Sequence, residues 1–380
     1  MTEPISRRDF ICRCALCSLG AMVAPAFKAV ARVDSESWIR GLEMSALKEA
    51  GFWQPLPGGL TQCLICPNQC KRDEGQTTTC RTRVNRGGKL YSLTYGKPCV
   101  VFQDPLEKNP LYHVSPGSQA IGVGTAGCNL WCKYCQNWSF SQVGPWETRN
   151  LDLSPEGLVQ RAKDRGLKWI TFSYTEPVAY YEYALDVAKL ARAEGIKVAV
   201  VTAGFINPKP LEKLMACSDA FSVTLKGGSN VFYEKVVGGS LATVWNSIVA
   251  LAGSGKWIEV VTLIVPTVND DDDGIRSIAR SLARLNPSIP LHFLRFTPAY
   301  KLENLPPTPR ETLERARNIA LKEGLKFVYL ANLPGHEAAS TYCPNCKKTL
   351  VERVGFTVLK NSIRGGACPF CRNIIPGVDL

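Results

Sequence analysis

Ala120-Ile121-Gly122-Val123-Gly124-Thr125-Ala126-Gly127-Cys128-Asn129-Leu130-Trp131-Cys132-Lys133-Tyr134-Cys135 joins a short apolar run to a C-x3-C-x2-C motif. Ala120–Gly124 has the length and composition of a buried strand. The three cysteines follow it directly, which puts them in the loop at the C-terminal end of that strand, where α/β folds place their sites. No fourth cysteine lies nearby; Cys99 and Cys217 are the closest on either side. Three thiolates can hold three irons of a [4Fe–4S] cube and leave the fourth iron open to another ligand. Clusters that only transfer electrons are usually held by four cysteines.

Downstream, one phrase occurs three times: Asp164-Arg165-Gly166-Leu167-Lys168-Trp169-Ile170-Thr171-Phe172, Ala193-Glu194-Gly195-Ile196-Lys197-Val198-Ala199-Val200-Val201, and Lys322-Glu323-Gly324-Leu325-Lys326-Phe327-Val328-Tyr329-Leu330. Each is a polar helix end, a glycine suited to the left-handed conformation, and a β-branched or aromatic run. Tyr180, Tyr183, Ala184, Val187 and Ala191 share one helix face before the second joint. Ser154-Pro155 supplies an N-cap with proline in the first turn, and Thr308-Pro309-Arg310-Glu311 reads as a capping box. Further strands are expected at Ala120–Gly124, Phe221–Leu225, Glu259–Val265 and Leu291–Phe296. Strand and helix alternate from about residue 118 to 332, which implies a parallel sheet with right-handed crossovers. Six or seven such units could close fully or partly into a barrel; an open doubly wound sheet also fits the pattern.

The 380 residues carry 45 Lys+Arg and 33 Asp+Glu, a net charge of +12, with 45% hydrophobic residues. That composition excludes intrinsic disorder and a collagen-like repeat. No apolar run reaches the ~20 residues of a membrane span. The basic residues are spread out, so the charge reads mainly as solvated helix faces, with a protein or RNA substrate left open. The chain has 16 cysteines, and most are clustered. Cys343-x2-Cys346-x21-Cys368-x2-Cys371, with an apolar hairpin-like stretch from Val351 to Leu359, reads as a zinc ribbon, although a single iron would look similar. Cys63-x2-Cys66-x3-Cys70-x9-Cys80 is expected to form another four-thiolate site. Zinc and an auxiliary iron–sulfur cluster both fit it, zinc being preferred, and Cys99 is an alternative ligand. Cys99 and Cys217 otherwise read as buried apolar thiols.

With its aromatic residue before the last cysteine, the motif at Cys128, Cys132 and Cys135 resembles that of the radical S-adenosylmethionine (SAM) superfamily. Other stretches resemble one branch, the radical SAM enzyme of the AmmeMemoRadiSam system, a relative of pyruvate formate-lyase activating enzymes. They are Asp104–His113, Cys135-Gln136-Asn137-Trp138, Tyr174-Thr175-Glu176-Pro177, Pro290-Leu291-His292-Phe293 and Ile375-Pro376-Gly377-Val378. The family's Asp-Leu-Lys, Val-Thr-Asn-Gly and N-terminal glycines appear here as Thr224-Leu225-Lys226, Val201-Thr202-Ala203-Gly204 and Thr77-Thr78-Thr79. The resemblance implies a partial (β/α)6 barrel at 118–337, flanked by a cysteine-rich module at 32–117 and a zinc-ribbon-like module at 338–380. It implies a [4Fe–4S] cluster and SAM, with Tyr134, Thr175, Glu176, Thr202 and Lys226 facing the cofactor. Glu176 is placed to pair with the SAM amino group or to cap a helix N-terminus. Thr202 is placed for the methionine or ribose, and Lys226 for the SAM carboxylate or the substrate. His292 reads as a core histidine, whereas the sequence gives His113 no place. Expected partners are a low-potential electron donor and other proteins of the same gene system, Memo-like proteins among them. Three functions fit: hydrogen abstraction from an unidentified substrate, activation of a glycyl-radical enzyme, and non-catalytic binding through a ribbon.

Ser6-Arg7-Arg8-Asp9-Phe10-Ile11, a weakly apolar stretch Cys14 to Phe27 and Ala29-Val30-Ala31 read as a twin-arginine (Tat) export signal over 1–31. The Tat route carries folded, cofactor-loaded proteins, so cluster insertion in the cytoplasm would precede export to the periplasm or beyond. A fusion of residues 1–40 to a reporter is expected to leave a Tat-competent cell; retention of the fusion inside the cell refutes export.

Overall fold

The computed structural model describes residues 34–380, so the twin-arginine motif, its apolar stretch and Ala29-Val30-Ala31 lie outside the described residues. The main sheet has eight strands: β1 (Val100–Pro105), β2 (Gln119–Gly124), β3 (Trp169–Phe172), β4 (Lys197–Thr202), β5 (Ala220–Thr224), β6 (Trp257–Ile264), β7 (Leu291–Arg295) and β8 (Val328–Ala331). They are hydrogen-bonded in chain order, β8 to β1. β2 to β8 are parallel, and β1 pairs antiparallel with β2, Val100 opposite Gly124. An unreversed order rules out the doubly wound sheet, whose strand order turns back at a switch point. β1 and β8 do not pair with each other, so the barrel is partial. Six strand–helix units are followed by a seventh parallel strand.

All three glycine joints form. Helix α1 (Pro155–Asp164), α2 (Tyr181–Ala193) and α6 (Arg310–Lys322) end before Gly166, Gly195 and Gly324, whose φ values are 63°, 69° and 101°. The amide three residues past each helix end turns back onto it, as in Leu167 N to Ala162 O at 2.9 Å and Ile196 N to Ala191 O at 2.9 Å. Between them, α3 (Pro208–Cys217), α4 (Leu241–Gly253) and α5 (Asp272–Leu285) complete the outer layer. Ser154 caps α1, accepting from Gly157 N at 3.1 Å. The expected capping box at Thr308 does not form. Thr308 is fully buried, accepts from Phe296 N at 2.9 Å and donates to Ile264 O at 2.6 Å, so its hydroxyl joins the ends of β6 and β7. Among the described residues, no single helix is long and apolar enough to cross a membrane.

The gap between β1 and β8 is plugged at the barrel floor. The C-terminal module is a three-stranded antiparallel sheet, β9 (Thr341–Tyr342), β10 (Thr349–Val354) and β11 (Thr357–Asn361). From β10, the buried Arg353 donates to Tyr112 O at 2.7 Å and Thr341 Oγ1 at 2.8 Å, and reaches Glu107 at 3.4 Å. Glu259, in the first half of β6, accepts from Tyr112 N, His113 N, Trp257 Nε1 and His292 Nε2 at 2.7–3.0 Å. Burial works against its charge, but His292 and His113 prevail and hold the carboxyl below its usual range. His292 is thus a bonded core histidine, and His113 is placed beside it. His113 Nδ1 lies 2.7 Å from Pro376 O, an acceptor, and Nε2 lies 2.6 Å from the Tyr329 hydroxyl. These partners suit the neutral ring with its proton on Nδ1.

Burial pulls the His113 pKa down to about 4. Between about pH 6.5 and 4 the unfolded chain therefore binds a proton that the folded one refuses, so stability falls as the pH drops through that window. The expected loss is about 3 kcal/mol. Urea denaturation at a series of pH values should show this slope, and His113→Gln should flatten it; an equal slope in the variant contradicts the assignment.

Candidate active site

The loop after β2 is fixed from several sides. Gly127 has φ of 85°, and a Cβ there would sit 2.3 Å from Cys80 O and 2.4 Å from Thr82 Cγ2, so only glycine allows this approach to the N-terminal module. Trp131 N and Lys133 N donate to Val237 O and Val236 O at 3.1 and 2.9 Å. Asn129 Nδ2 donates to Phe205 O at 2.7 Å, and Gln142 Nε2 donates to Leu130 O at 3.1 Å. A loop held at this many points presents its thiols in one arrangement.

Cys128, Cys132 and Cys135 line a cavity of about 280 Å³ at the C-terminal ends of the strands. Tyr134, Thr175, Glu176, Thr202 and Lys226 line the same cavity, so all five residues expected to face a cofactor converge there. Glu176 follows β3, and its carboxylate accepts from the Thr202 hydroxyl at the end of β4 and from Ala203 N at 2.7 Å. Burial nevertheless raises its pKa to about 7. Thr175 Oγ1 donates to Thr125 O at 3.1 Å, tying this loop to the one bearing the cysteines. On the far wall, burial works to lower the pKa of the Lys226 ammonium, but the charges of Cys132, Cys135, Cys128 and Glu176 overcome it and the pKa rises. Lys226 Nζ lies 5.9 Å from the Tyr134 ring and forms no ion pair among the described residues. Tyr134 OH is buried without a hydrogen-bond partner.

Other lining residues went unnoticed in the sequence. Asn137 Nδ2 donates to Tyr174 O at 2.5 Å, and Ser141 Oγ lies 3.2 Å from Cys135 Sγ. Asn137 stands in the quoted Cys135–Trp138 stretch, which was the available signal. Val261, Leu263 and Leu294 form the apolar base, and nothing in the strand pattern separates them from core residues.

The donor set fits a three-thiolate cluster with SAM. Burial raises the Cys128 and Cys132 thiols above their usual range, so thiolates there need a cation against them. The cavity wall has no fourth cysteine. It instead offers one buried acid and one half-buried ammonium, complementary to an amino-acid moiety.

The ribbon sulfurs have a different geometry. Cys343 and Cys371 are 3.5 Å apart, Cys346 and Cys368 3.7 Å, and all four ligand atoms lie within 4.8 Å of one another. A tetrahedral ion with bonds of ~2.3 Å to sulfur spaces its ligands by ~3.8 Å, so this set fits one such ion. Lys347 N and Arg372 N close the two knuckles on Cys343 O and Cys368 O at 3.0 and 2.8 Å. Cys63, Cys66, Cys70 and Cys80 are all buried. Cys99 stands apart from them with its thiol 3.9 Å from Gly124 O, and Cys217 bonds back to Leu214 O within α3.

Residues 123–277 match the Radical SAM superfamily. The protein MJ0808 of Methanocaldococcus jannaschii is 40% identical over 328 residues, spanning 86% of this chain and 98% of that one. The pyruvate formate-lyase-activating enzyme of Clostridium pasteurianum is 25% identical over 179 residues, 45% of this chain and 71% of the relative. The crystal structure of Streptococcus suis SuiB bound to S-adenosylmethionine aligns at 14% identity and a TM-score of 0.45, covering 60% of this chain and 53% of that one. The chain belongs to the radical SAM superfamily, a membership that implies a [4Fe–4S] cluster and S-adenosylmethionine.

Proposed function

We propose that this chain is a radical SAM enzyme whose cluster is held by Cys128, Cys132 and Cys135 and whose SAM lies between Glu176 and Lys226. One observation carries the reading. Three cysteines without a fourth share a cavity with a buried carboxylate and a half-buried ammonium that forms no ion pair among the described residues. Cys128, Cys132 and Cys135 would hold the cluster and Glu176 and Lys226 the SAM, and together these groups would supply one-electron reductive cleavage of the sulfonium for hydrogen-atom abstraction.

The chain's own residues bind and orient. Glu176, fixed by Thr202 and Ala203 N, accepts the ammonium of the amino-acid moiety, and Lys226 faces its carboxylate. Thr202 is occupied by Glu176, so its part is to position that acid. Tyr134 and Thr175 complete the wall around the ligand. The apolar base of Val261, Leu263 and Leu294 keeps water from beneath the site. The electron comes from a low-potential donor outside the chain. The ribbon, packed on the opposite floor of the barrel through Tyr112 and Phe327, holds zinc in a structural role.

Two tests follow. Cys132→Ala, prepared without oxygen, should lose SAM cleavage after chemical reduction and keep the ribbon metal. Cleavage at the unaltered rate would refute the assignment. Glu176 binds a cation only when ionised, and its pKa is raised to about 7. SAM affinity measured by calorimetry should therefore fall below about pH 7, approaching tenfold per pH unit. Glu176→Gln should bind more weakly and lose this pH dependence; a variant that keeps the wild-type profile contradicts the pairing.

A further inference from the structure

The four N-terminal cysteines lie outside the cavity, yet they abut the loop that forms it. Cys63, Cys66, Cys70 and Cys80 are 5–8% exposed, and none is in a disulfide. They sit on two tight turns. Gln69, in the left-handed region at φ 42°, closes the first with its N–H on Cys66 O at 3.1 Å. Arg81, at φ 66°, closes the second on Thr78 O at 2.8 Å. Arg81 follows Cys80 directly, as Lys347 and Arg372 follow Cys346 and Cys371 in the ribbon, at φ 63° and 62°.

The sulfur spacing differs between the two modules. Among the described residues, only the ribbon brings three or more such ligand atoms within 4.8 Å of one another. No three of the N-terminal thiols are gathered that closely, whereas one tetrahedral ion holds its sulfurs ~3.8 Å apart. Several irons bridged by sulfide separate their thiolates further, and Cys128, Cys132 and Cys135 are likewise not gathered within 4.8 Å of one another. Hydrogen bonds surround these sulfurs as well. Thr79 N donates to Cys70 Sγ at 3.4 Å, Thr79 Oγ1 lies 3.2 Å from the same sulfur, and Thr78 and Thr82 hydroxyls each lie 3.1 Å from Cys80 Sγ. Such bonds to sulfur tune cluster potentials. Thr78 and Thr79 belong to the Thr77-Thr78-Thr79 departure noted in the sequence. Two direct contacts join this module to the central loop: Cys80 O against Gly127, and Asn68 Nδ2 to Asn129 O at 2.9 Å.

We infer that Cys63, Cys66, Cys70 and Cys80 hold a second iron–sulfur cluster, backed directly onto the Gly127–Asn129 segment that carries the first. This reverses the preference for zinc drawn from spacing in the sequence alone.

The full chain with Cys128→Ala, Cys132→Ala and Cys135→Ala together, reconstituted with iron and sulfide without oxygen, isolates the second centre. Elemental analysis should find about two to four irons and about one zinc per chain, and the reduced protein should give an iron–sulfur paramagnetic signal. A folded triple variant with two zincs and no iron, or with neither iron nor a second zinc, overturns the inference. The complementary Cys63→Ala/Cys66→Ala variant should lose that iron and keep about four irons at the central site; if it does not fold, the triple variant still decides. Equal iron in the wild type and the triple variant would leave this inference standing and defeat the central three-thiol reading, so the two failures are distinguishable.

Discussion

Gly127 has no room for a side chain: a Cβ would lie 2.3 Å from the carbonyl of Cys80, in a backbone conformation that side chains rarely adopt. That close approach is the constraint on which the active end depends. It clamps the cysteine loop between β2 and the N-terminal module. With Trp131 and Lys133 hydrogen-bonded to the 236–237 backbone, three thiols face one cavity. An open iron is useful only if its three ligands cannot rearrange to saturate it, and a loop pinned from both sides meets that condition. Its cost is an N-terminal module that must fold onto the barrel. Arg83 anchors the module, fully buried, against Glu182 at 2.9 Å and Val178 O at 3.0 Å.

The two ends of the barrel have separate tasks. At the C-terminal ends of the strands, the buried Glu176 and the half-buried Lys226 are unpaired with each other, which is unfavourable without a ligand. At the floor, Glu259 has four donors, and His113 has both ring nitrogens engaged. Stability resides where nothing needs to bind, and unsatisfied electrostatics where something does. The ribbon belongs to the floor, where β10 supplies Arg353 to fill the gap left by a sheet that does not close.

Much of this was legible in the sequence, for identifiable reasons. The helix-to-strand joints at Gly166, Gly195 and Gly324 were readable because a left-handed residue after a helix is a local requirement. The cysteine motif was readable from its spacing after a strand, and the five cavity residues from the family resemblance together with their place in the loop itself or at the C-terminal end of a strand. Thr308 was misread because its hydroxyl goes to β6 and β7, partners 12 and 44 residues away, in place of its own helix. The role of His113 depends on how the floor is plugged, and that is set by Pro376 and Tyr329 far along the chain. The attachment of the N-terminal cysteines to the central loop had a sequence trace only in Gly127, whose neighbour no local pattern reveals.

The most direct measurement is electron paramagnetic resonance of the protein reduced without oxygen, recorded before and after adding S-adenosylmethionine. The account predicts that the cofactor changes the line shape of one iron–sulfur signal, and that this response is missing from Cys135→Ala. A signal indifferent to the cofactor, or an equal response in the variant, would contradict the claim that these three cysteines leave an iron open for it.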